Sequence, residues 1–368
     1  MDLSALSPPA QKILSAPLPL RQMAAKGIAP GLRPADALAV VVALSEGEDE
    51  SLAELARRTL GAIPAPLLNG GLVPTLDPGV LHRIALLCSR DAGVIERVLL
   101  LPQLAATTVN ALAEIASEPV AELLAVNQER LIANPSIIEK LYMNEFTRMS
   151  TADRILELAV RNNLELPGIP AYKEAAQAIL NELIIEPQVE PTPDDLLFAE
   201  THLIATQTEA NPALEDMFTH DAISGEEVVA ERFLTLSAQL GRLTLTQKIR
   251  RALIGTASER LLLVRDKNKL VAISAVRSPK LHESEVVQIT ASRTIADEVL
   301  RVIALDRNWT KSYQVKMNLV QNPRTPFVFA AQFVPHLREH ELRALAKSKD
   351  VTSAVATAAR RQLHRKES

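Results

Sequence analysis

Apolar residues recur along this chain at the spacing of short helices. From Asp49 to Gly61, a charged turn leads into an apolar-periodic segment that ends at a glycine. Residues 296–304 and 350–363 follow the same pattern. A unit that recurs in this way predicts an array of stacked helices, because each unit buries its apolar side only against its neighbours.

The spacing of these units and their start signals refine the prediction. Two similar helices, 81–87 and 109–115, lie about 28 residues apart, which suggests one long and one very short helix per unit. Further along, Thr244 and Gln247 fit a capping box, which predicts the start of a helix. Residues 286–290, Val-Val-Gln-Ile-Thr, are the best candidate for a strand.

Asparagine or serine followed by proline marks three helix boundaries. The three pairs are Asn134-Pro135, Ser278-Pro279 and Asn322-Pro323. Proline disfavours helix in the residue before it, and it lacks the N–H that the first residue of a helix leaves unpaired. We therefore expect each pair to end one helix and open the next.

Charge divides the chain unevenly. Residues 241–368 carry 24 Lys and Arg against 11 Asp and Glu, whereas residues 1–240 carry 16 against 33. Between Lys173 and Arg232 there are 14 acidic residues and no basic one. Three prolines within residues 186–195 interrupt any helix there, so like charges and prolines together predict an extended, solvated linker.

Two segments resemble known helical repeats. Residues 49–61 resemble the second helix of HEAT repeats. Residues 322–326, Asn-Pro-Arg-Thr-Pro, resemble the asparagine–proline junction of leucine-rich-repeat-variant proteins, which are helical. The chain departs from the variant family because Cys88 is its only cysteine, whereas some members carry a cysteine cluster for an iron–sulfur centre. The resemblance implies an α-solenoid that acts by binding.

We therefore expect an all-α protein, an α-solenoid of short HEAT-like repeats in two blocks joined by an acidic linker. An aromatic content of only 3% supports helices over a β-sandwich. The expected parts are an N-terminal segment (1–33), an N-terminal helical repeat block (34–167), a partly disordered acidic linker (168–242) and a basic C-terminal helical repeat block (243–368). Within the linker, residues 196–204 are less polar, and they fit either a helix docked on the solenoid or a partner-binding segment in a disordered chain.

No pattern of catalytic residues emerges from the sequence. The segment from His336 to His340 matches the H-x-x-E-H pattern of inverted zinc peptidases, but both histidines are expected on the polar side of a helix. The chain has no phosphate-binding glycine loop and no nucleophile elbow. Cys88 follows an apolar run and is expected to be a buried, inert thiol. We predict a protein that is not an enzyme and that uses no cofactor or metal.

The start of the chain does not read as a secretory signal, and its apolar runs are too short to span a membrane, so a cytoplasmic protein without a membrane span is expected.

We predict an interaction scaffold or adaptor whose partner is another protein with an acidic surface or peptide. The alternative is a HEAT-like protein that binds nucleic acid through the basic block. An intramolecular contact between the acidic linker and the basic block is a further possibility. The expected basic face consists of Lys248, Arg250, Arg251, Lys267, Lys269, Arg277, Lys280, Arg360 and Arg361.

Overall fold

The computed structural model describes residues 6–180, 190–209, 217–220, 227–348 and 350–367, and most of them are helical. Contacts divide the chain into two compact units, Met1–Gly168 and Ile169–Ser368, called here the first and second units. The all-helical prediction is confirmed for the described residues.

The first unit contains twelve helices among its described residues, most of them between 6 and 13 residues long. They are α1 Pro8–Leu14, α2 Leu18–Ala25, α3 Pro34–Ser45, α4 Glu50–Gly61, α5 Ala65–Gly71, α6 Pro78–Leu87, α7 Ala92–Leu99, α8 Ala106–Ile115, α9 Glu118–Val126, α10 Gln128–Ala133, α11 Pro135–Met143 and α12 Met149–Arg161. Helix α3 is the core element of its N-terminal part, since every residue from Ala37 to Ser45 is buried.

The second unit also contains twelve helices among its described residues. They are α13 Tyr172–Ile179, α14 Pro193–Glu209, α15 Leu234–Arg242, α16 Leu245–Ile254, α17 Ala257–Leu263, α18 Lys269–Val276, α19 Glu283–Ala291, α20 Asp297–Leu305, α21 Tyr313–Gln321, α22 Phe327–Phe333, α23 Glu339–Lys347 and α24 Ser353–Glu367. Short 3₁₀ turns lie at Glu231–Phe233, Trp309–Lys311 and Val334–His336. Strands β1 (Phe218–His220) and β2 (Glu227–Val229) form an antiparallel hairpin in which Thr219 lies opposite Val228.

Helices that are two apart in the chain pack on each other. In the second unit, α16 packs on α18, α18 on α20, α20 on α22 and α22 on α24, while α17 packs on α19 and α19 on α21. In the first unit, α6 packs on α8, and α7 packs on α9. Since α6 has 10 residues and α7 has 8, the expected alternation of long and very short helices is not present.

Two buried asparagines tie neighbouring helix pairs together in the same way. Asn144, which follows α11, donates through Nδ2 to the carbonyl oxygens of Ala113 (3.0 Å) and Ala116 (2.9 Å) at the end of α8. Its Oδ1 accepts from the N–H of Phe146 at 2.9 Å. The side chain therefore satisfies carbonyls that the end of α8 leaves unpaired, and it also shapes its own turn.

In the second unit, Asn322 repeats this arrangement after α21. Its Nδ2 donates to the carbonyl oxygens of Thr290 and Ser292, both at 2.8 Å, and its Oδ1 accepts from the N–H of Arg324 at 3.0 Å. Contacts of this kind join residues that are 28 to 32 positions apart. The spacing matches the separation of about 28 residues between the similar helices predicted at 81–87 and 109–115.

The proline junctions follow the prediction only once. Pro135 is the first residue of α11, as expected. Pro279 and Pro323 instead lie in turns, because α19 begins at Glu283 and α22 begins at Phe327. At these two sites the preceding polar side chain makes the connection, since Ser278 Oγ donates to the carbonyl of Leu253 at 2.7 Å and Asn322 binds as described above.

The prediction of a strand at residues 286–290 is wrong, since this segment lies within α19. Glu285 fixes the start of this helix, because its carboxylate accepts from the N–H of His282 at 2.9 Å. Val286 and Ile289 are then buried on one helical face. This packing outweighs the strand preference of the β-branched residues.

The acidic segment 168–242 is folded wherever the structure describes it. From residue 169 onward it belongs to the second unit, and it contains α13, α14, α15 and the β1–β2 hairpin. Residues 196–204 lie within α14, which packs on α15 and α17. The rest of the predicted linker, 181–189, 210–216 and 221–226, lies outside the described residues.

Candidate interaction groove

Two of the basic residues expected on an exposed face are in fact buried. Arg250 and Arg251 in α16 are 0% and 2% exposed. Their guanidinium carbons lie 5.2 and 4.0 Å from the centre of the Phe198 ring of α14. Because α16 is covered on several sides, these two arginines stack on an aromatic ring in the interior, and they do not contribute to a solvent-facing surface.

Three further basic residues of the predicted face are neutralised by carboxylates. Lys248 pairs with Asp266 at 3.0 Å, and Lys269 pairs with Glu298. Hydrogen bonding to Glu298, together with its charge, raises the pKa of Lys269. Arg277 donates to both carboxylate oxygens of Glu174, at 2.8 and 2.9 Å.

The remaining four residues have different surroundings. Lys267 is exposed. Lys280 donates through Nζ to the carbonyl of Ile254 at 2.9 Å. Arg360 is exposed and donates to the carbonyl of Ala346 at 2.9 and 3.2 Å. Arg361 is exposed and lines a groove at the C-terminal end of the second unit.

Acidic residues of segment 168–242 contact the basic block at several points within the second unit. Besides the pair of Glu174 and Arg277, Glu209 at the end of α14 accepts from the N–H of Ser258 at 2.6 Å and from its Oγ at 2.9 Å. Glu227 of the hairpin accepts from Arg265 at 2.7 Å. These contacts hold the acidic segment against the helices of the basic block.

Glu227 is the best-connected of these carboxylates. It also accepts from the hydroxyls of Ser292 and Thr294. Burial opposes its ionisation, but the charge of Arg265 and these hydrogen bonds outweigh burial and lower the pKa of Glu227. Arg265 in turn lies 3.5 Å from the centre of the Phe218 ring in β1, so both strands of the hairpin are anchored on the helices.

A cavity of about 460 Å³ lies near Lys280 and is lined by His202, Glu209, Arg260 and His282. Its charged groups are engaged within the protein. Arg260 makes two hydrogen bonds of 2.9 Å to Glu285, Glu209 binds Ser258, and Lys280 binds a carbonyl. Charged groups that already have hydrogen-bond partners within the protein provide little attraction for an ion.

The groove that contains Arg361 has a different character. It is formed by α22, the 3₁₀ turn at Val334–His336 and α24, and it has a volume of about 560 Å³. Its apolar lining includes Phe327, Ala331, Val334 and Ala354. Phe327 is 45% exposed, a large value for an aromatic residue. The groove therefore presents apolar surface to solvent.

The polar rim of the groove is basic. Arg361 and Arg365 are one turn apart on α24, both line the groove, and both are exposed. None of the eleven lining residues is acidic. The opposite side of α24, with Val355 and Ala359, is buried, which fixes the face that the two arginines share.

The histidines of the H-x-x-E-H segment do not share a helix. His336 lies in the 3₁₀ turn and His340 in α23, which begins at Glu339, and both are exposed. Over the part of the chain that the structure describes, no three His, Cys, Asp or Glu residues are grouped in a way that could hold a metal ion.

No helix among the described residues has the length and apolar character needed to cross a bilayer.

Comparison of the chain with protein-family models, with curated proteins and with solved structures gives no match in any of the three.

Proposed function

We propose that this chain is a non-enzymatic interaction scaffold whose groove between α22 and α24 binds an acidic amphipathic helix of a protein partner. The observation that carries the proposal is the combination of an exposed apolar floor, two arginines on the rim and no acidic lining residue. An amphipathic helix in such a groove places its apolar side chains on the floor and its carboxylates beside the arginines.

The scaffold itself is best interpreted as an α-solenoid. Support comes from the packing of each helix on the helix two places further along the chain, and from asparagine contacts that span 28 to 32 residues. Solenoids of this kind commonly act by binding, because their stacked helices leave long faces open. The likeness of residues 49–61 to HEAT repeats and of residues 322–326 to variant repeats points the same way.

The energetics favour a transient complex. Burying two leucine-sized side chains on the floor contributes roughly 1.5–3 kcal/mol each, and each arginine pair at the rim adds at most about 1 kcal/mol. These contributions total at most about 8 kcal/mol, and after the roughly 4 kcal/mol or more of entropy lost on association they leave an affinity in the millimolar range or weaker. Binding of this type depends on salt only moderately, because few charges are involved.

Nucleic acid is the weaker alternative. A phosphate-binding surface uses many exposed cations, and roughly 6–10 contacts are common. Of the nine basic residues expected to form such a surface, Arg250 and Arg251 are buried, and Lys248, Lys269 and Arg277 pair with carboxylates. The groove is also lined by apolar side chains, which phosphate does not require.

The proposal is tested with a defined probe. A fluorescein-labelled amphipathic peptide of about 18 residues, with leucines at i, i+4, i+7 and i+11 and glutamates between them, is titrated with the full chain. We expect saturable binding that Arg361→Glu/Arg365→Glu weakens about 10-fold or more. The matched control is Arg301→Glu/Arg307→Glu, two exposed arginines that do not line the groove.

Equal binding by the wild-type chain and the groove variant would contradict the proposal. So would tighter binding of a DNA or RNA duplex than of the peptide, with a steep dependence on salt. A variant of the peptide with lysine in place of glutamate should bind less tightly, because its positive charges are repelled by the two arginines.

A further inference from the structure

Helix α14 presents a stripe of exposed residues, two of them leucines, that the described part of the chain leaves uncovered. Leu196 and Leu203 are 60% and 58% exposed. Together with Glu200 and Gln207, which are also exposed, they follow the i, i+4, i+7, i+11 spacing of one helical face. The two leucines are one heptad apart, so about 10.5 Å of helix separates them along its axis.

The opposite face of α14 fixes the helix on the second unit. Phe198, Thr201 and Ala205 are buried, and Phe198 stacks against Arg250 and Arg251. Glu209, at the end of the helix, binds Ser258. The start of the helix is closed by Asp195, which accepts from the N–H and the hydroxyl of Thr192 at 2.9 and 2.8 Å. The helix is thus held by one face, while the other is exposed among the residues that the structure describes.

The charge of this surface complements the groove. The chain has no lysine or arginine from residue 174 to residue 231, so the surroundings of the stripe in sequence are acidic. The groove has the reverse composition, with Arg361 and Arg365 on its rim and no acidic lining residue. An acidic amphipathic helix and an apolar groove with a basic rim are therefore present in the same molecule.

We propose that the occupant of the groove is α14 of a second copy of this chain. The inference rests on the proposed function of the groove and names its partner. The exposed Leu196 and Leu203 enter the apolar floor beside Phe327, and Glu200 lies beside the arginines of α24. Each copy offers one helix and one groove, so two copies can pair reciprocally about a two-fold axis, or copies can join head to tail. The reciprocal arrangement gives a closed dimer, and the head-to-tail arrangement gives rings or open chains.

A charge-swap experiment on the full chain tests this arrangement. The groove variant is Arg361→Glu/Arg365→Glu, and the helix variant is Glu200→Arg/Gln207→Arg, in which all four substituted positions are exposed. Sedimentation velocity is measured from about 10 µM to about 1 mM, a range that extends to the affinity expected of so weak an interface. We expect the wild-type sedimentation coefficient to rise with concentration, and each variant alone to remain monomeric.

Mixing the two variants provides the decisive measurement. The arginines of the helix variant face the glutamates of the groove variant, and the unchanged acidic helix of the groove variant faces the unchanged groove of the helix variant. We therefore expect association to return in the equimolar mixture. The Arg301→Glu/Arg307→Glu chain should associate like the wild type, and far-ultraviolet circular dichroism confirms that each variant is folded.

Two results would overturn the inference. One is a wild-type chain that stays monomeric across the concentration range. The other is association that neither variant reduces, or that the mixture does not restore. If either occurs while the acidic peptide still binds the wild-type groove and not the groove variant, the proposed function stands and only the identity of the partner is wrong. If the peptide also fails to bind, both proposals fail.

Discussion

Replacing Asn322 with aspartate is expected to destabilise the second unit strongly, although the two side chains have nearly the same shape. Asn322 is buried, and its Nδ2 donates to the carbonyl oxygens of Thr290 and Ser292 at 2.8 Å. A carboxylate has no hydrogen to donate, so its oxygen would lie against these two carbonyl oxygens and be repelled by them. Alanine removes the same two bonds but adds no charge.

The two substitutions differ in the size of their effect. Loss of two buried hydrogen bonds, with the carbonyls left unpaired, lowers the free energy of unfolding by roughly 2–3 kcal/mol in Asn322→Ala. A buried carboxylate against carbonyl oxygens adds a desolvation and repulsion cost, so we expect roughly 3–5 kcal/mol for Asn322→Asp at neutral pH.

The aspartate variant should also acquire a dependence on pH. The site disfavours the charged form, so the pKa of the new carboxyl is raised above its unfolded value of about 3.9. Below that unfolded pKa both states are protonated, and an O–H can restore one of the hydrogen bonds. As the pH rises toward the folded-state pKa, the unfolded chain loses its proton first and stability falls. Asn322→Asp should therefore be closer to wild type near pH 4 than at pH 7.

Urea unfolding at both pH values measures these differences, and hydrogen exchange localises them. The amide of Arg324, which donates to Asn322 Oδ1, should exchange faster in the variants, whereas the amide of Phe146 beside Asn144 should not change. Gln321→Glu is the control, since it makes the same amide-to-carboxylate change at an exposed neighbouring position. If the free energy of unfolding of Asn322→Asp lies within about 0.5 kcal/mol of that of the control, the hydrogen bonds from Asn322 to Thr290 and Ser292 are not a source of stability.

Three further predictions concern other buried groups. Arg260→Met should destabilise by about 3–5 kcal/mol in urea unfolding, because it leaves the buried Glu285 carboxylate without its partner. Arg260→Met/Glu285→Gln should recover much of the loss, since glutamine is neutral and still accepts from the N–H of His282. The lowered pKa of Glu227 means that its contribution is complete above the unfolded pKa of about 4.3 and is lost as pH falls through the folded value. The protection factors of the β1–β2 amides, which correct for the intrinsic pH dependence of exchange, should accordingly fall in acid, and Glu227→Gln should remove this dependence. Burial raises the pKa of Cys88 to about 11, so a thiol reagent at pH 8 should modify the folded chain far more slowly than the chain in urea, and equal rates would contradict its burial.

Local sequence signals predicted many of the helices well. Thr244 and Gln247 exchange the two hydrogen bonds of a capping box at the start of α16, and α4, Glu50–Gly61, lies where residues 49–61 predict a helix. These features depend on neighbours within one turn, so they can be read from a short stretch of sequence. Asn144 was missed for the opposite reason. Its partners lie 28 and 31 residues away, and it has no proline after it to mark the junction.

The candidate site was harder to predict because it depends on which side of a helix is covered. Arg250 and Arg251 look like surface residues in sequence, yet both are buried against Phe198 from a segment that composition alone describes as a linker. Arg361 was named as one residue of a basic face, but its setting beside Phe327 depends on the packing of α22 on α24. Periodicity predicts which face of a helix is apolar, whereas the element that packs against a given face is determined by the tertiary fold.

The charge asymmetry of the chain takes on a different meaning once the contacts are known. Much of the acidic segment is used inside the second unit, since Glu174, Glu209 and Glu227 each bind a group of the basic block. Two of these contacts pair with cations, Arg277 and Arg265, that look free in the sequence. The groove is different, because its eleven lining residues include Arg361 and Arg365 but no carboxylate. Long-range attraction of an acidic partner is screened beyond about 8 Å at physiological salt, so the residues nearest the docking surface decide which partner is favoured. The basic character of the block therefore selects a partner chiefly at this groove, where apolar surface can retain the partner once it has arrived.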